Sequence, residues 1–167
     1  TIASKGMVID TCGTGGDGIG AFNISTAASF IIAACGVKVA KHGNRAASSK
    51  CGSADVLEAL GVHIMLTPKQ AAAVLNKVGM VFLFAPLYHP AMKQIAPIRK
   101  ELGVRTVFNF LGPFLNPAHV KRQLIGVPNP AIAKKLASVA VRLGYDHALI
   151  VSSKDGMDEI SIASPTQ

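Results

Sequence analysis

The chain has no tryptophan, only two tyrosines, and 5% aromatic residues in all. Proteins that hold single-stranded nucleic acid stack its bases on aromatic rings, and a chain this poor in rings lacks that platform. Acids are scarce too: nine stand against seventeen lysines and arginines, for a formal net charge of +8. Such an excess suits an anionic small molecule as well as nucleic acid. The basic residues are scattered in ones and twos, with no basic run or arginine-rich arm, so no nucleic-acid partner is expected. No apolar stretch reaches the roughly 20 residues that a membrane helix needs. The longest, from Ala27 to Val39, is interrupted by Ser29, Gly36 and Lys38, which reads as a core helix and strand of a soluble protein, with no membrane partner. The three cysteines, Cys12, Cys35 and Cys51, lack metal-ligand spacing and leave an odd thiol if two pair. Reduced thiols in a cytoplasm are the simplest account, serving as buried small hydrophobes.

What is present is the material of a packed domain. Of 167 residues half are hydrophobic, 16% are charged, and the mean hydropathy is +0.40, values that exclude disorder as the main state. Thr1 is not an initiator residue, and Ile160 to Ser164 reads like a strand entering something further. The expectation is an internal piece of a longer polypeptide.

The stretch around which the rest is organised is Asp10-Thr11-Cys12-Gly13-Thr14-Gly15-Gly16-Asp17, continuing to Asn23-Ile24-Ser25-Thr26. A short apolar run precedes it and an alanine-rich segment follows, so the pattern predicts strand, glycine loop, helix. Clustered glycines let bare backbone N–H groups approach a ligand, as peptide loops do around phosphate. Asn23, Ser25 or Thr26 would cap the helix, whose partly positive N-terminus faces the same space. A glycine turn between strand and helix also serves mere close packing, and on the pattern alone the two readings stand level. The spacing matches neither the P-loop nor the G-x-G-x-x-G dinucleotide loop.

Thr26 to Cys35 is small and apolar on nearly every face, as expected of a helix buried between layers, and Gly36 stops it. Val37 to Ala40 reads as a strand that delivers Lys41-His42-Gly43-Asn44-Arg45 at its C-terminal end, where open α/β sheets bind ligands. Ser48, Ser49 and Ser53 follow directly; they could be helix caps, but after Lys41 and Arg45 a second anion-binding turn is the better reading. Ala54 to Leu60 reads as a helix. Thr67-Pro68 starts another that runs to Val78, and Met80 to Phe84 has the length and continuity of a covered parallel strand. A helix is expected from about Ala91 to Leu102, carrying Lys93, Arg99 and Lys100, with Pro97 able to kink it. Residues 105–117 suggest a rigid connection and not regular structure. Gln123 to Val127 and Ala148 to Ser152 read as strands around a helix from Pro130 to Leu143. Alternating strands and helices predict an α/β fold, a mainly parallel sheet flanked by helices. In the last loop, Asp158-Glu159 could be a solvated turn. In a chain short of acids that holds phosphates, the pair is better read as a Mg²⁺ site, since Mg²⁺ takes one or two carboxylates plus phosphate oxygens and water.

Taken together, Asp10-Thr11-Cys12-Gly13-Thr14-Gly15-Gly16-Asp17, Phe22-Asn23-Ile24-Ser25-Thr26, Lys41-His42-Gly43-Asn44-Arg45 with Ser48-Ser49, Gly52-Ser53-Ala54-Asp55-Val56-Leu57-Glu58, Phe108-Asn109-Phe110-Leu111-Gly112-Pro113 with Asn116-Pro117, and Asp158-Glu159 occur in order over nearly the whole chain. The combination closely resembles the anthranilate phosphoribosyltransferases. The resemblance implies the nucleoside phosphorylase/phosphoribosyltransferase-like α/β domain, of which residues 1–167 would be an incomplete part. It implies Mg²⁺-dependent transfer of phosphoribose from 5-phosphoribosyl 1-pyrophosphate (PRPP) to the amino group of anthranilate, releasing pyrophosphate, a step of tryptophan biosynthesis. It also implies a cytoplasmic, homodimeric full-length protein.

Carried over by position, the resemblance assigns PRPP to Gly13, Gly16, Asp17, Asn23, Ile24, Ser25 and Thr26. It adds Lys41, His42, Gly43, Asn44, Arg45, Ala46, Ala47, Ser48, Ser49 and Ser53 to that cradle. Anthranilate falls to Gly13, Asn44, Arg99 and His89, and metal to Ser25, Asp158 and Glu159. Arg99 suits the anthranilate carboxylate through a bidentate contact, although by itself it reads as one more exposed helix arginine. Lys41 and Mg²⁺ would stabilise charge on the leaving oxygens. Lys41 and His42 are the catalytic candidates; for His42 a general base, a ring contact and a structural hydrogen bonder all stand open. One departure from the family pattern is Ala21, where a threonine is usual, a lost hydroxyl worth about 1 kcal/mol if it makes an ordinary hydrogen bond. Two rivals are carried: a pyrimidine nucleoside phosphorylase-like enzyme, using phosphate and a nucleoside, and a phosphoribosyltransferase-like nucleic-acid binder.

Overall fold

The structure is a computed structural model that describes residues 2–15, 18–46, 50–92, 101 and 106–167. Its elements in chain order are β1 (Val8–Gly13), α1 (Ile24–Ala34), β2 (Lys38–Gly43), α2 (Ser53–Ala59), α3 (Pro68–Val78), β3 (Met80–Phe84), α4 (Ala85–Tyr88), α5 (Phe108–Leu111), a 3₁₀ turn (Gly112–Leu115), β4 (Arg122–Gly126), α6 (Pro130–Arg142) and β5 (His147–Val151). The five strands are all parallel in the order β3-β2-β1-β4-β5, as expected from the alternating pattern.

Successive side chains of a strand point to opposite faces, and the core divides accordingly. On one face Val8, Ala40, Val81 and Leu83 pack against Ala71 and Leu75 of α3, and Cys12, Ile125 and Val127 pack against Leu136 of α6. On the other face Phe82 and Phe84 meet Ala54 and Leu57 of α2, and α1 lies over β1 and β2. The helix ends follow local chemistry. Thr67 accepts from the Gln70 N–H at 3.3 Å while the Gln70 side chain accepts from Thr67 N at 2.9 Å, a reciprocal cap that satisfies two otherwise orphaned donors. Gly79 closes α3 at φ 86°, a left-handed position that side-chain-bearing residues avoid.

Several expectations are corrected. The helix after the glycine loop is not buried between layers: its buried residues are Thr26 and Ser29, whereas Ile31 is 66% exposed and Phe30 also faces outward. Small hydroxyl residues let α1 approach β1 closely, and its apolar flank is left open. Asn23 occupies the N-cap without a side-chain capping hydrogen bond, its amide donating instead to Cys51 Sγ; its carbonyl oxygen accepts from Thr26 N and Ala27 N. The expected rigid connection contains regular structure, because α5 and the 3₁₀ turn span Phe108–Leu115. Ile160 to Ser164 is not a strand; the chain bends back so that Ser153 bridges Thr166 and Ser152 exchanges two hydrogen bonds with Gln167. Of the cysteines only Cys12 is buried, Cys35 and Cys51 being exposed. The helix expected from Ala91 to Leu102 lies mostly outside the described residues, although Ala91 and Met92 are helical.

Candidate functional site

Strand order reverses between β1 and β4, and at such a switch point the loops leaving neighbouring strands part to open a crevice at the C-terminal ends. Lys41 stands inside β2, not after it, because β2 runs on to Gly43. Its side chain is only 2% exposed and crosses beneath the glycine loop, where Nζ donates to Thr11 O at 2.6 Å and to Ser25 Oγ at 3.1 Å. Thr11 Oγ1 and Ser29 Oγ each lie within 2.9 Å of Ser25 O, so a hydroxyl cluster fixes the first turn of α1 and with it Ser25. Burial lowers the proton affinity of Lys41, while Asp10 and Glu159 nearby raise it.

Asp10 is the counterpart on the opposite face of β1. It is fully buried and its carboxylate accepts from Asn116 Nδ2 at 2.8 Å, Gln123 Nε2 at 3.0 Å and His42 N at 3.3 Å. Burial pushes its carboxyl up to about 6, with Lys41, Asn116 and the backbone N–H groups of His42 and Thr11 opposing. Asn116 also donates to Ala40 O, and Gln123 to Pro113 O. One carboxylate therefore ties β1, β2, β4 and the 113–116 turn together.

His42 belongs to the same turn. A carbonyl oxygen only accepts, so the contact of His42 Nδ1 with Gly112 O at 3.2 Å places the proton on Nδ1 and leaves Nε2 as acceptor. His89 Nε2, 3.2 Å from it, is then the donor. Burial first, and the neighbouring His89 second, push His42 down to about 4. Both ring nitrogens are engaged, which among the three open roles fits the structural hydrogen bonder. Beside His89 lies a cavity of about 310 Å³ lined by Tyr88, Phe114, Leu115, Asn116, Pro117 and His119.

The turn after β2 packs against α2. Arg45 is paired with Asp55 at 3.3 Å and with both oxygens of Glu58, and it sits over the Phe84 ring. Its guanidinium is committed to these partners and is not a free cation facing the glycine loop. The Asp55 carboxylate also accepts from Gly52 N and Ala46 N, and Ser53 Oγ donates to Asn44 O at 3.3 Å.

The acids after β5 come to the glycine loop. Asp158 Oδ2 accepts from Gly15 N at 3.0 Å, and Glu159 is near enough to act on Lys41. Ser25, through Lys41, belongs to the same neighbourhood. Gly16, Asp17, Ala47, Ser48, Ser49 and Arg99 lie outside the described residues. Among the described residues no cluster of three or more His, Cys, Asp or Glu side chains forms a metal cage, and no helix is long and apolar enough to cross a membrane. Two carboxylates beside backbone amides fit a Mg²⁺ that arrives with phosphate oxygens and keeps its waters, not one caged by protein alone.

The model of the glycosyl transferase family, a/b domain, matches residues 5–167. An anthranilate phosphoribosyltransferase from Bacillus caldotenax is 60% identical over 165 residues, which cover 99% of this chain and 68% of that protein. The chain belongs to this family. An anthranilate phosphoribosyltransferase from Symbiobacterium thermophilum is 56% identical over 163 residues, 98% of this chain and 48% of its own length, so the chain spans about half of such relatives. The solved structure of the Saccharomyces cerevisiae anthranilate phosphoribosyltransferase in complex with PRPP and Mg superposes with a TM-score of 0.87 at 34% identity, over 96% of this chain and 46% of the yeast chain. Family membership accounts for the motifs that sequence reasoning picked out. Asp10, Asn116 and Gln123 hold the site from beneath; in the sequence Asp10 and Asn116 stand out only as parts of motifs and Gln123 only as the start of a strand.

Proposed function

We propose that the full-length protein carrying these residues transfers the phosphoribosyl group of PRPP to the amino group of anthranilate, with Mg²⁺ as cofactor, in the cytoplasm and as a homodimer. The observation that carries this reading is the hydrogen bond from Gly15 N to Asp158 Oδ2, which brings the glycine loop and the acid turn to one crevice. In the reaction the anthranilate nitrogen forms a bond to C1 of the ribose, the C1–oxygen bond to pyrophosphate breaks with its electron pair leaving on that oxygen, and the nitrogen loses a proton. Mg²⁺, when held by Asp158, Glu159 and Ser25, supplies positive charge that the leaving diphosphate needs. The chain's own contributions are positional. Amides of the glycine loop from Gly13 to Asp17 and the start of α1 from Asn23 to Thr26 would receive the phosphates. Lys41 steadies Ser25 from below. The backbone of the turn from Asn44 to Ser49, with Ser53, would complete the cradle, and Gly13, Asn44, His89 and Arg99 would face anthranilate.

Loss of anthranilate fluorescence in the full-length protein tests this. Consumption that requires both PRPP and Mg²⁺, and that falls at least 100-fold in Asp158→Asn/Glu159→Gln, is expected, a loss of about 3 kcal/mol in the transition state. No consumption at saturating PRPP, or phosphate-dependent cleavage of thymidine instead, would sink the proposal. The 167-residue chain alone is expected to turn over poorly and to associate, since among the described residues β5 is the outermost strand on its side of the sheet and Leu149 on it is 49% exposed.

A further inference from the structure

The switch point is floored by two glycines whose role is spatial. Gly13 and Gly126 are register partners at the C-terminal ends of β1 and β4. Neither has a positive φ, so backbone conformation does not require glycine at either place. What requires it is Asp158. A side-chain carbon at Gly126 would overlap the Asp158 carbonyl oxygen and lie 2.7 Å from its carbonyl carbon, while one at Gly13 would meet Asp158 Oδ2 at 2.8 Å. Gly126 also serves the glycine loop, since its carbonyl oxygen accepts from Thr14 N at 2.9 Å. The acid turn has little room to retreat. Ser153 N donates to Met157 O, Gln167 is paired to Ser152, and Asp158 itself is buried.

We propose that Gly126 is a positioning residue for the metal carboxylates: its missing side chain lets the backbone of Asp158 settle on the β1–β4 seam. The separation between carboxylate and glycine loop is then set by strand register and not by the flexible turn itself. The inference rests on the reading that Asp158 and Glu159 hold a divalent ion. Any substituent at residue 126 pushes on backbone, which cannot rotate aside as a side chain does, so the carboxylates are lifted from the amides that share their ligand.

The test is Mn²⁺ titration of the full-length protein in the presence of inorganic pyrophosphate, with free Mn²⁺ read by electron paramagnetic resonance and the melting temperature recorded alongside. Gly126→Ala is expected to weaken Mn²⁺ binding tenfold or more, the scale seen when groups supporting metal ligands are altered. Gly13→Ala, which meets only the carboxylate end, should weaken it severalfold and keeps the test decisive if Gly126→Ala does not fold. A folded Gly126→Ala with a lowered melting temperature but wild-type Mn²⁺ affinity would mean a purely structural glycine and overturns the proposal. If Gly126→Ala does not fold, unchanged Mn²⁺ affinity in Gly13→Ala overturns it likewise. Wild-type protein that binds no Mn²⁺, or Asp158→Asn that binds it normally, overturns the metal reading itself and the inference with it.

Discussion

Asp10 offers a sharp physical test because its protonation is coupled to folding with an unusual sign. Burial raises its carboxyl from the ordinary 3.8 to about 6, so in this window the folded chain holds a proton that the unfolded chain has released. Stability therefore falls as pH rises: the contribution is fully present below about 3.8 and is lost by the time pH has passed about 6. At about 1.4 kcal/mol per pH unit the gap amounts to roughly 3 kcal/mol. His42, held down at about 4 from 6.5, acts in the opposite sense over an overlapping range, because its unfolded form takes up the proton first. The total pH profile thus conceals both, and the difference between wild type and Asp10→Asn isolates Asp10. The asparagine keeps an oxygen for the amides of Asn116 and Gln123 but turns an N–H toward the His42 N–H, which destabilises by about 1–3 kcal/mol for a buried donor left unsatisfied. That offset does not depend on pH. Urea unfolding followed by circular dichroism at several pH values from about 3.5 to about 7 should show the stability of wild type minus variant declining by roughly 3 kcal/mol. A difference that stays flat, or rises with pH, refutes the reasoning.

The His42 ring, followed by NMR, should stay neutral throughout pH 5 to 8 and begin to titrate only toward about 4; a midpoint near the ordinary 6.5 would contradict its burial against His89. In Gly43→Ala the added carbon would overlap Ser53 Oγ and come within 2.8 Å of the Phe82 ring, so a loss of about 1–3 kcal/mol is expected in denaturant unfolding. Leu75→Ala, at a fully buried position of α3, should cost about 2–5 kcal/mol, and a loss below about 1 kcal/mol would show that α3 does not seal this part of the core.

The elements with strong local signals were legible. Thr67-Pro68, the Met80–Phe84 run and the Pro130 helix start lie where capping chemistry and apolar continuity put them. Local patterns carry no record of distant partners, and there the reading failed. Asp10 looks in sequence like any acid before a glycine loop, and its donors arrive 106 and 113 positions later. Arg45 read as a cation for phosphate, yet two carboxylates one helix turn apart on α2 claim its guanidinium. The apolar flank of α1 suggested burial, but what decides burial is the face that carries Thr26 and Ser29, where small side chains permit close approach to β1. Gly126 gave no signal because its demand is steric and comes from a turn far along the chain.

The span between the two halves of the crevice has a consequence for how the molecule is made. Gly15 and Asp158 are 143 positions apart, so on a ribosome the glycine loop emerges long before the acids that meet it. Contacts of such separation carry a large loop-closure cost and form late. The nascent chain passes through a stage in which β1 to β3 are laid down before β5 and the turn carrying Asp158 exist, and any ligand that needs both the glycine loop and that turn would stabilise only chains in which the two have met.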